Sequence, residues 1–234
     1  MLLSPHPALR WTPVSGASAY EVIVQGPGLR WHSVVGKEII ETVYPERAPK
    51  LSPSTGYKYK LTIQTSGASS AEDPGKGLGF AILGPKETKA VEKQRLIIVR
   101  LGLPDGPTQF LIAYLYATHD LNAEAIQQLE NVSQTFKAAA VARLLGDLYL
   151  NVGLPRQAEA SYLNSLDLCK SEKDVEGEML AHSALARIYE KAFANRDLAS
   201  QHFNAALALA QKIGDDLTAD QTKKRLAALK KIAM

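Results

Sequence analysis

One cysteine, Cys169, occurs in 234 residues. That excludes an intrachain disulfide and any cysteine-based metal site within one chain. No apolar run approaches the ~18 residues that a membrane-crossing helix needs. Charge of one sign is also scarce: the net charge is +3, with +2 carried by residues 1–84 and +1 by residues 85–234. No Lys/Arg block breaks that balance, so nothing in the linear sequence calls for nucleic acid or an anionic membrane. The opening Met1-Leu2-Leu3-Ser4-Pro5 lacks a basic segment followed by an apolar stretch, so no secretory signal is read there. The apolar fraction of 46% and charged fraction of 22% fit an ordinary folded chain, and the length allows one or two domains.

Chemistry is equally sparse. The histidines are His6, His32, His119, His182 and His202, and no two are spaced as metal ligands. His182 lies four residues after Glu178 on a helical pattern, but two ligands fall short of a minimal zinc site. Gly75-Lys-Gly-Leu-Gly79 has the look of a phosphate loop, yet lacks the Ser/Thr after the lysine and a following helix. Asn131-Val-Ser133 is a glycosylation sequon at a helix end in the repeat region. No serine sits in an elbow motif, and no nucleophile, base and acid are set out together. The chain is read as non-enzymatic, with no catalytic, cofactor-binding or metal-binding residues.

What is present is repetition. Leu145-Gly146, Tyr149, Gly153, Ala158, Tyr162 and Leu166 form a spacing that recurs upstream at Ile112-Ala113, Tyr116, Ala125 and Leu129. It recurs downstream at Leu185-Ala186, Tyr189, Ala199, Phe203 and Leu207, with one extra residue in the turn. A period of roughly 33–40 residues marks stacked helical hairpins. Small residues let the two helices of a hairpin approach, aromatics fill the gaps between hairpins, and a lone hairpin cannot bury its face. Cys169, at a helical position near this core, reads as a small buried hydrophobe. The pattern resembles the tetratricopeptide repeat family over residues 107–234. The middle copy matches well, while Ala113 and Ala186 replace the usual glycine and the turn near Phe193–Asp197 is longer.

That resemblance implies a concave surface lined by the first helices. It places Phe110, Tyr114, Arg143, Asp147, Leu150, Ser183, Arg187 and Glu190 there. Members of the family that hold a peptide carboxylate use a set of Lys, Arg and Asn. The Asn positions are occupied here by Tyr114, Asp147 and Arg187, so that clamp is not expected. An extended or helical peptide is the implied ligand.

Residues 1–84 have another character. Short alternating runs (19–25, 29–35, 38–43, 57–65 and 79–83) are separated by Gly- and Pro-rich turns, the pattern of an antiparallel sandwich or barrel. Leu51-Ser-Pro53-Ser-Thr55-Gly-Tyr57 fits a tyrosine corner, with the Tyr57 hydroxyl returning to upstream backbone. Leu9-Arg-Trp11 places a core tryptophan one strand before Tyr20. Together these resemble a fibronectin type III module over about residues 5–84, with little chain left for a first strand unless Leu2–Ser4 supplies it. Trp31 shares a face with Leu29, Ser33 and Val35 and is read as core.

Residues 85–106 form a linker. Its Leu96-Ile-Ile-Val99 run is too short for pattern to separate helix from strand. A helix covering the exposed end of the repeat stack is the preferred reading, and a strand added to the sandwich is the alternative. Residues 216–232 are amphipathic, with Leu217, Leu226, Leu229 and Ile232 expected inward and Lys223, Lys224, Lys230 and Lys231 outward. This suits a cap on the last hairpin.

The sequence thus predicts a two-domain chain: an all-β fibronectin type III-like sandwich (1–84), a helical linker (85–106) and an all-α tetratricopeptide-like array (107–234). The pairing resembles uncharacterised bacterial, notably cyanobacterial, proteins. The expected function is scaffold-type binding of a protein or peptide partner, with self-association as a further possibility and no cofactor. The alternative is an accessory region of a larger enzyme or sensor. A periplasmic location is expected if the chain is trimmed from a longer protein, and a cytoplasmic one otherwise.

Overall fold

The computed structural model describes residues 1–53, 59–70 and 79–231. Among them are six strands and eight helices, divided between two compact units: residues 1–129 with 151–154, and residues 130–150 with 155–234.

The first unit begins with two antiparallel sheets. One pairs β1 (Ala8–Arg10) with β4 (Glu41–Val43); the other has the order β3-β2-β5-β6, with β2 Ala19–Gly26, β3 Leu29–Gly36, β5 Tyr59–Gln64 and β6 Gly79–Phe80. Alternation explains the burial. Tyr20, Val22 and Val24 of β2 join Tyr59 and Ile63 of β5 in one core with Leu9, Trp11, Tyr44, Leu51 and Ile82. β2 and β3 are joined at Pro27-Gly28, where Gly28 takes a φ of +68°, a region L-residues avoid. Trp31 is half-buried and meets Tyr44 edge-on, with ring centroids 5.0 Å apart. Leu2 bridges Ile82 in parallel, and its carbonyl accepts a 2.8 Å bond from the Leu83 N–H.

One local reading changes. The run at 38–43 is a strand only from Glu41, because the Ile39 N–H closes a turn on the Gly36 carbonyl at 3.0 Å. Tyr57 lies outside the described residues. Among the described residues the Tyr59 hydroxyl accepts the upstream Ser52 N–H at 2.7 Å.

Helix α1 (Pro85–Arg100) follows, with proline at its first turn, then α2 (Asp105–Thr118) and α3 (Asn122–Val132). α1 buries Val91, which clusters with Leu83 and Leu121 and is flanked by Met1, Leu3, Leu115 and Tyr116. The expectation that Leu96–Val99 is a covering face fails. Leu96, Ile97 and Val99 are exposed, because the helical period turns Thr88, Val91, Arg95 and Ile98 inward instead.

The second unit holds the end of α3 and helices α4 (Ala139–Asn151), α5 (Pro155–Glu172), α6 (Val175–Lys191), α7 (Arg196–Ile213) and α8 (Asp216–Lys231). Successive helices pack as hairpins, with α6 against both α5 and α7, and α7 against α8. Close approach is visible at Gly146: a Cβ there would lie 2.9 Å from the Tyr162 ring. Ser165 Oγ of α5 donates to the Ala139 carbonyl of α4 at 2.9 Å. Twice, a first-helix tyrosine donates to a glutamate of the helix before it, Tyr149 to Glu130 and Tyr189 to Glu159, both at 2.5 Å. Cys169 is buried, and burial pushes its thiol pKa up. On α8 the inward row is Ala219, Thr222, Leu226 and Leu229. Leu217 is 70% exposed, against expectation, because it is out of phase with that row. Ile232 lies outside the described residues.

Candidate protein-interaction surface

Packing decides which side chains of α4 are left over. Val141, Ala142, Gly146, Leu148 and Tyr149 are buried. Arg143 and Asp147, one turn apart, share the remaining face, Arg143 half-buried and Asp147 exposed. On α6 the same logic buries Ala181, Ala184, Leu185, Ile188 and Tyr189. Arg187 is exposed, and Ser183 and Glu190 are half-buried.

These charges converge on one hydroxyl. Tyr162 of α5 is fully buried, and its Oη donates to Asp147 Oδ1. Burial, then the hydrogen bond and charge of Asp147, push the Tyr162 pKa far up. The guanidinium groups of Arg187 and Arg143 both act on it in the opposite sense, so both lie within electrostatic reach of the same atom. The result is an exposed carboxylate, held from beneath by a buried phenol, with a cation contributed by each of two helices. Glu190 is engaged separately, by Arg225 of α8 at 3.4 Å. Leu150 is half-buried. Ser183 Oγ is buried and has no hydrogen-bond partner among the described residues.

Phe110 and Tyr114 belong to α2 of the first unit, Phe110 half-buried and Tyr114 55% exposed. Arg143, Asp147, Leu150, Arg187 and Glu190 belong to the second unit. Of these the structure groups Arg143, Asp147 and Arg187.

Sequence reasoning missed the role of the Tyr162 hydroxyl, because an aromatic at that repeat position reads as gap-filler. It also missed the meeting of His182 and His202. The one available signal was that both sit on the small-residue faces of neighbouring helices. Among the described residues no group of three or more His, Cys, Asp or Glu side chains could hold a metal ion, and no helix is long and apolar enough to cross a membrane. The glycine-rich segment before Gly79 lies outside the described residues.

No family model and no curated protein matches this sequence. Solved structures do show a loose likeness. A crystal structure of MamA aligns at 13% identity over 63% of this chain and 94% of its own, with a TM-score of 0.43. A second MamA structure aligns at 13% identity over 62% and 82%, with a TM-score of 0.42. BtubC (BKLC) from P. vanneervenii aligns at 16% identity over 63% and 74%, with a TM-score of 0.30.

Proposed function

We propose that this chain is a non-enzymatic interaction protein that binds a partner polypeptide through the first helices of a tetratricopeptide-like array. The observation that carries this reading is the Arg143–Asp147–Arg187 cluster around the Tyr162 hydroxyl. Neither the arginines nor the carboxylate fills a gap between helices, so their side chains are left for another molecule. A partner group that displaces water there meets donors on two helices and an acceptor fixed in orientation, which favours a specific peptide over a general electrostatic contact.

The first unit carries a fibronectin type III-like module in this reading. Two antiparallel sheets around one core, with a tyrosine hydroxyl bonded to backbone seven residues upstream, support it.

The test is capture of partners by the whole chain and by an Arg143→Glu, Arg187→Glu double variant. The variant is expected to keep its helical circular dichroism and lose the partner. Charge reversal at a desolvated contact costs about 2–5 kcal/mol. Unchanged capture removes the cluster from the binding surface. Absence of any partner, with turnover of a small molecule, supports the enzyme-accessory alternative.

A further inference from the structure

Helix α1 has two sides of unlike chemistry. Its inward row is Thr88, Val91, Arg95 and Ile98, all buried or half-buried. Its outward row is Lys86, Lys89, Lys93 and Arg100, at intervals of three, four and seven, and all four are exposed. That spacing gathers four cations onto one stripe of the helix. Among the described residues none of the four has an ion-pair partner; of the two acidic residues between them, Glu92 is taken by Arg95 at 2.8 Å and Glu87, in the first turn, is rotated off the stripe. The stripe is invisible as a linear block because neutral and acidic residues separate its members.

Where the stripe ends, the surface turns apolar. Leu96 is 42% exposed, Ile97 53% and Val99 45%, and beyond the helix Leu101 is 59% and Leu103 42% exposed. Residues 93–104 contain no Asp or Glu. Exposed apolar residues scattered singly need no explanation, but five within eight positions, rimmed by cations, mark a contact surface.

We propose that the outward face of α1 docks the protein on an anionic phospholipid surface, with the cations of the stripe on the headgroups and Leu96, Ile97, Val99, Leu101 and Leu103 in the acyl boundary. Three features favour lipid over other occupants. The stripe is uniformly positive, which complements acidic headgroups and repels a second copy of the chain. At 100° per residue, Leu96, Ile97 and Val99 spread over about 160° of the helix circumference on both sides of Arg100. A helix docked in a protein groove presents a narrower row of anchors, whereas an interfacial helix accepts a broad apolar face. Arg100, set among these residues, has a stem long enough to lie along apolar surface while its charge stays at headgroup level. The apolar segment is sufficient to dip into one leaflet and far too short to cross the bilayer.

The test is co-sedimentation of the whole chain with vesicles of phosphatidylcholine alone and of phosphatidylcholine with about one-third phosphatidylserine. Each cation near such a surface contributes about fivefold to partitioning, so the anionic vesicles are expected to bind at least ~100-fold more protein. Raising the salt is expected to release it. Lys89→Gln with Lys93→Gln should lose about 25-fold, and Ile97→Ser should weaken binding while leaving the salt dependence in place. All three positions are exposed, and circular dichroism checks that the helices persist. No binding to the anionic vesicles, or equal binding by the lysine variant, overturns the proposal. Retention on immobilised polyglutamate without vesicle binding also overturns it and assigns the stripe to an acidic polypeptide.

Discussion

The Nδ1 atoms of His182 and His202 face each other at 2.9 Å across the α6–α7 hairpin, with the His202 ring stacked 5.3 Å from that of Tyr189. One nitrogen must carry a hydrogen and the other a lone pair. The contact survives with no added proton or with one, but two added protons place N–H against N–H.

The pair makes the second unit acid-sensitive. Burial first, then His202 and Lys170 of α5, hold His182 down at about 4. Burial also lowers His202, partly opposed by Glu159 of α5. Both folded values lie below the ordinary ~6.5, so the unfolded chain binds more protons between those limits. Stability from the pair is therefore complete above about pH 6.5 and declines as pH falls towards 4. Thermal melts at pH 7.5 and pH 5 should differ by a few degrees in the wild type. They should differ less in His202→Gln, which removes one titrating ring. An unaltered pH slope in the variant counts against the pair as its source.

Gly146→Ala should destabilise the second unit by about 1–3 kcal/mol. The new methyl would stand 2.9 Å from the Tyr162 ring, which is buried and anchored to Asp147. The ring has no free side to retreat to. Urea unfolding of the two proteins measures the difference, and equal midpoints would show that α4 and α5 are not packed so closely.

Ala194→Gly should do the opposite. Ala194 follows α6 with a φ of +50°, where a Cβ costs about 1–2 kcal/mol. Glycine removes that strain and adds some entropy to the unfolded chain. The expected net gain is about 0.5–1 kcal/mol, read from the same urea transition.

Tyr59→Phe should cost the first unit about 1 kcal/mol, because Phe cannot accept the Ser52 N–H. Tyr44→Phe is the comparison, since its hydroxyl donates to the Pro49 carbonyl at 2.7 Å in the same loop. If only the Tyr44 variant is weakened, the corner role belongs to Tyr44.

The parts of the fold legible in sequence were those fixed by period. Alternation placed β2, β3 and β5 to within one or two residues, and the Gly146, Ala158, Tyr162 spacing located the α4–α5 hairpin. Phase was less legible. Tyr57 and Tyr59 share one phase of the sequence alternation, so pattern alone does not single out Tyr59 as a hydroxyl that meets Ser52. Leu217 matches the hydrophobicity of α8 but not its rotation, and Thr222 takes an inward place that a count of leucines does not reveal. The surface cluster was half legible. Repeat positions put Arg143, Asp147 and Arg187 on the faces that hairpin stacking leaves free, but the bond from Tyr162 that orients Asp147 depends on three-dimensional contact.

The Tyr149–Glu130 and Tyr189–Glu159 bonds bear on how the second unit comes apart. Each joins a helix to its predecessor, so each belongs to the coupling between neighbours and not to the intrinsic stability of one hairpin. In a linear array, coupling of this kind sets cooperativity: when it is strong relative to the repeats themselves, a short stack melts in a single transition, and when it is weakened the helices fray one by one from the α8 end.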